Sequence, residues 1–95
     1  MNIQEFLKKI QVELKISKNS EYTQRSYTDF NKKFLEFIKK EPEQVTEDDI
    51  KSYIAEKLSE KSSTTIILFL SALKYAYLSI LKKDLTASIK RPKRE

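Results

Sequence analysis

The sequence predicts an all-α protein, a small bundle of helices. Three observations point there. The 95 residues include no glycine and only two prolines, which leaves few tight turns and argues against an all-β fold. The stretch Thr65–Leu81 places large apolar residues at Ile66, Phe69, Leu70, Leu73, Tyr77, Leu78 and Leu81, the i, i+3, i+4, i+7 spacing of an amphipathic helix. Helix-start residues recur at Ser20, Thr46 and Ser62, each just ahead of a helical pattern.

The first helix is expected over Asn2–Ile16, with Ile3, Phe6, Leu7, Ile10 and Leu14 as its apolar stripe. The turn Ser17-Lys-Asn-Ser20 follows, built from residues that bond their own backbone. A second helix runs over Glu21–Lys40, with Thr23, Tyr27, Phe30, Phe34, Phe37 and Ile38 facing inward. Glu41-Pro42 ends it, because the residue before proline is pushed out of helical geometry. The third helix starts at Thr46-Glu-Asp-Asp49, a capping box, with Val45 and Ile50 placed for a hydrophobic staple. It ends near Glu60, with Ile50, Tyr53, Ile54 and Leu58 inward. Ser62–Thr65 caps the fourth helix, which ends near Lys82-Lys83. Ile67, Leu68 and Ile80 fall off its main stripe, so it is apolar around most of its circumference and is expected at the centre of the bundle. Ser71, Lys74, Tyr75 and Ser79 interrupt it too often for a membrane span. Residues 1–84 form the helical domain, and 85–95, ending in Ile89-Lys-Arg-Pro-Lys-Arg-Glu95, a basic linker.

The chain has no cysteine and no histidine, so disulfides, thiolate nucleophiles and imidazole bases or ligands are excluded. It lacks an apolar signal-peptide core near its start, and a cytoplasmic location is expected. Glycine-rich phosphate loops are equally ruled out. Glu47, Asp48 and Asp49 resemble a metal cluster, but capping and the helix dipole explain them better. No catalytic residue, cofactor or metal is expected. The net charge of +5 is unevenly spread. Nine Lys/Arg stand against five Asp/Glu in residues 1–40, two against seven in 41–60, and eight against two in 61–95. Such polarity suits a polyanion on one side and solvent on the other.

The candidate polyanion-binding groups gather at two helix starts, where free N–H groups and the positive dipole end suit phosphate. Lys18, Asn19 and Ser20 precede the second helix, and Gln24 and Arg25 follow one turn later. Ser63 and Thr64 open the fourth helix, and Lys74 lies farther along it. Lys90, Arg91, Lys93 and Arg94 add the basic tail.

These spacings resemble one family. Ser20-x-x-Thr23-x-x-x-Tyr27-x-x-Phe30-x-x-x-Phe34-x-x-Phe37 is similar to the second helix of the core-binding domain of tyrosine recombinases (phage integrases and Xer-type recombinases). Pro42-x-x-Val45-Thr46-x-x-Asp49-Ile50-x-x-Tyr53-Ile54 is similar to the third. Ser62-x-x-Thr65-Ile66, Leu70-Ser-Ala-Leu-Lys74 and Tyr77 are similar to the fourth, and Ile89-Lys-Arg-Pro-Lys93 to the linker toward the catalytic domain. The resemblance implies a compact orthogonal, SAM-like bundle of four or five helices that clamps duplex DNA at a recombination site. Its second and fourth helices would address the major groove. A separate catalytic domain would supply the tyrosine nucleophile, so this chain alone would not be an enzyme. Expected partners are double-stranded DNA, that catalytic domain and other recombinase protomers, with no membrane and a monomeric isolated domain. Where the family usually has polar or basic residues after Thr65-Ile66, this sequence has Ile67, Leu68 and Phe69. The competing reading is a helical protein–protein interaction module that uses an exposed Ile67/Leu68 patch.

Overall fold

The computed structural model describes residues 1–89. Four α-helices follow in order: α1 Ile3–Ile16, α2 Glu21–Ile38, α3 Glu47–Tyr53 and α4 Ser63–Ile80. A single 3-10 turn, Pro42–Gln44, joins α2 to α3, and α3 continues into a wide π turn over Ile54–Leu58. No strand is present among the described residues.

Each start follows its cap. Asn2, Ser20, Thr46 and Ser62 accept a hydrogen bond from the backbone N–H three residues on. At α3 the box is complete: Asp49 N–H donates to the Thr46 hydroxyl at 3.3 Å and Thr46 N–H donates to the Asp49 carboxylate at 2.9 Å. The ends use a less usual device. Lys18, Lys39 and Lys82 have φ of 56°, 54° and 58°, the left-handed conformation that glycine normally supplies after a helix. With no glycine in the chain, lysine fills all three positions, at about 1 kcal/mol or more of backbone strain each. Behind Lys18 the motif is well made: Lys18 N–H reaches the Lys15 carbonyl at 3.1 Å and Asn19 N–H reaches that of Leu14 at 3.2 Å. Lys39, whose N–H reaches the Leu35 carbonyl at 3.0 Å, stops α2 at Ile38, short of the expected Lys40.

The core lies where α1, α2 and α4 meet, closed on one side by α3. Phe69 is its aromatic centre, with ring centroids 5.0 Å from Tyr53, 5.7 Å from Phe34 and 6.1 Å from Phe30. Phe6 and Tyr77 pair at 5.1 Å on the α1 side. Burying a side chain of this size stabilises by about 1.5–3 kcal/mol. The expected stripe of α1 is correct, with Phe6, Ile10 and Leu14 fully buried. On α2 the fully buried residues are Asn31, Phe34 and Leu35, whereas Tyr27, Phe30, Phe37 and Ile38 are half-buried. Val45 and Ile50 are both buried in the core, as a staple requires.

α4 is central, as its composition suggests, but it is not wrapped on every side. It packs on α1, α2 and the π turn, while Lys74 and Leu78 are exposed. It is long and apolar enough to cross a membrane by length and composition, but Phe69, Leu70, Leu73 and Tyr77 are spent on the core. The residues after α4 pack back onto this core. Thr86 is buried, and Leu85 and Ile89 pack against the core. Asp84 accepts from the Thr86 N–H and hydroxyl at 3.0 and 2.8 Å, and Ser88 donates to Glu47 at 2.6 Å.

Candidate nucleic-acid interface

The start of α2 is tightly organised. Asn19 donates its side-chain amide to the Leu14 carbonyl at 3.3 Å, and Gln24 donates to the Asn19 carbonyl at 2.9 Å. The Ser20 hydroxyl accepts from Thr23 N–H at 3.2 Å and donates to the Thr23 hydroxyl at 3.0 Å. Three of the five candidates here therefore hold the turn. The other two, Lys18 and Arg25, are exposed and take part in no ion pair among the described residues.

At α4, Ser62 does the capping, Ser63 is half-buried and Thr64 is exposed. Lys74 lies 4.0 Å from Asp84, at the limit of an ion pair. Lys90, Arg91, Lys93 and Arg94 lie outside the described residues.

The two helix starts do not make one site. Tyr27 packs on Tyr75 at 5.8 Å, Asn31 reaches the Ala72 carbonyl, and Phe34 packs on Phe69, so α2 and α4 run past each other in opposite senses. Ser20 and Ser62 each lie roughly 15 Å of helix from the contact at Asn31 and Ala72. The Ser17 hydroxyl and Tyr75 hydroxyl, 3.1 Å apart, tie the α2 start to the second half of α4 instead. Lys74 is thus nearer to the α2 start in the fold than Ser63 and Thr64 are.

Tyr22 and Lys32 lie outside the candidate set and extend it on either side of Arg25. Tyr22, Arg25, Asp29 and Lys32 recur along α2 at helical spacing and line an open groove of about 990 Å³ with Gln4 and Gln11 of α1. Tyr22 is 69% exposed. Asp29 is held by Lys33 at 3.1 Å, which leaves Lys32 and Arg25 without a carboxylate partner. The 3-4-3 spacing from Tyr22 to Lys32 was the available signal.

The acidic region has the opposite character. Lys40 pairs with Asp49 at 2.9 Å and Lys51 with Glu47 at 3.0 Å. Partial burial pushes the Asp49 carboxyl up, but the Thr46 N–H, the Lys40 ammonium and the Thr46 hydroxyl outweigh it and hold the group below its usual value. The Ser88 hydroxyl, and then Lys51, hold Glu47 below the usual carboxylate range. These acids are spent on caps and pairs, and no group of three or more acids that could hold a metal occurs among the described residues.

Tyr53 and Tyr77 are buried, and Tyr27 and Tyr75 pack against each other at a tilt and are half-buried. Ile67 and Leu68 are half-buried rather than exposed. The exposed large apolar residues are Val12, Ile16, Tyr22 and Leu78.

The fold defines the class: an all-α, SAM-like bundle. The profile of the phage integrase N-terminal SAM-like domain matches residues 3–87, and the chain belongs to that family. No curated protein and no solved structure matches it.

Proposed function

We propose that this domain binds duplex DNA as the non-catalytic, core-binding part of a site-specific tyrosine recombinase. Family membership over residues 3–87 is the observation that carries the reading. The unpaired cations support it. Lys18, Arg25 and Lys32 lie along or beside α2 without carboxylate partners, while Lys40 and Lys51 in the acidic region are paired with Asp49 and Glu47. Phosphate contacts of this kind set register and supply most of the affinity for a duplex. Thr64 and Lys74 add contacts from α4, and Lys90, Arg91, Lys93 and Arg94 from the tail. Two helix starts so far apart suit an extended ligand better than a small anion. Asn19, Ser20 and Gln24 act in this reading as the frame that holds Lys18 and Arg25. The partners are a recombinase catalytic domain and other protomers on DNA. The isolated domain is a cytoplasmic monomer that uses no cofactor.

The test is an NMR titration of the labelled domain with a short generic duplex, at low and then moderate salt. Amide shifts are expected at residues 18–25, 62–68 and 90–94, fading as salt rises. Spectra unchanged at low salt would overturn the proposal.

A further inference from the structure

We infer that Lys18 and Lys39, two of the three lysines in left-handed backbone conformation, serve as phosphate contacts in addition to closing their helices. This rests on the DNA-binding reading above. A left-handed position after a helix is best filled by glycine, and asparagine follows; a lysine there carries backbone strain and adds a charge. The three lysines differ in what the fold does with that charge. Lys82 turns its ammonium back onto the Ser79 carbonyl at 3.1 Å, so its role in closing α4 is visible. No hydrogen bond or ion pair engages the ammonium of Lys18 or Lys39 among the described residues. Lys39 is telling because of its neighbour: Lys40 is taken by Asp49, and Lys39 is left in solvent. Residues retained in sparsely populated conformations cluster at functional sites, because selection for function offsets the strain. Lys18 and Lys39 bracket α2, whose 18 residues span about 27 Å, roughly eight base pairs of duplex. Arg25 and Lys32 lie between them.

The inference separates stability from binding, and glycine substitution reads both. Lys18→Gly and Lys39→Gly should melt no lower than the parent domain. Each should bind a generic 20-base-pair duplex about three- to tenfold more weakly at low salt, with the slope of log affinity against log salt reduced by about 0.9. Lys18→Arg and Lys39→Arg should restore binding. Lys82→Gly should bind as the parent does. If the parent binds with a clear salt dependence and the glycine variants bind equally well, the lysines do no more than close their helices and the inference fails while the DNA reading stands. If the parent does not bind, the DNA reading itself fails and takes the inference with it.

Discussion

Asn31 donates its side-chain amide to the Ala72 carbonyl at 3.3 Å, and to its own helix at the Tyr27 carbonyl at 2.8 Å, which fastens α2 to α4. Asn31 is fully buried, in a helix whose other fully buried residues are apolar. Removing a hydrogen-bonded buried group costs about 1–3 kcal/mol. Asn31→Ala should therefore lower the melting temperature by roughly 10 °C. An unchanged midpoint in a calorimetric scan would mean that the α2–α4 contact is held by its aromatic residues alone.

The capping box at α3 gives a pH-dependent prediction. Asp49 has a folded pKa below its unfolded value, so its stabilisation is present above about pH 4 and is lost as pH falls through the folded value. Thr46→Ala should cost about 1 kcal/mol at neutral pH. Asp49→Asn should destabilise at pH 7 but lose its difference from the parent in strong acid. Urea melts at several pH values check this. A difference independent of pH would remove the carboxylate from the explanation.

Tyr77 has a buried hydroxyl with no hydrogen-bond partner among the described residues. Burial holds its phenol well above the ordinary tyrosine range. Tyr77→Phe should leave stability unchanged or raise it by up to about 1 kcal/mol, since an unsatisfied polar group is lost. In alkaline ultraviolet titration, fewer than the five tyrosines should ionise before the domain unfolds. Full titration of all five in the folded state would contradict the packing around Tyr77.

The segment after α4 belongs to the core. A chain ending at Asp84 loses the apolar contacts of Leu85 and Ile89 and the buried Thr86. It should be less stable than a chain ending at Ile89 by about 1–3 kcal/mol. Equal melting temperatures would mean that Leu85, Thr86 and Ile89 add nothing to the stability of the bundle.

That segment shows where sequence reading stops. Ser20, Thr46 and Ser62 announced their helices because capping is a local interaction of a few residues. The α1 stripe was equally readable, as its period alone fixes which side is buried. Asn31 was missed because a polar residue defaults to solvent until a carbonyl from a distant helix is found opposite it. Leu85 and Ile89 sit in a short, mixed segment with no period, so only tertiary contact reveals their burial. The candidate interface followed the same division. The Lys18–Arg25 turn was legible as a polar, basic helix start. That the α2 and α4 starts lie far apart, and that Asn19 and Gln24 are spent on the turn, depends on packing and could not be read from composition.

The salt dependence of duplex binding bears hardest on the proposed role. Fluorescence anisotropy of a labelled generic duplex, titrated with the 95-residue domain across a range of salt, gives the slope of log affinity against log salt. About five neutralised phosphates predict a slope of about −4 to −5. A slope near zero, or no binding at low salt, would contradict a DNA-clamping domain.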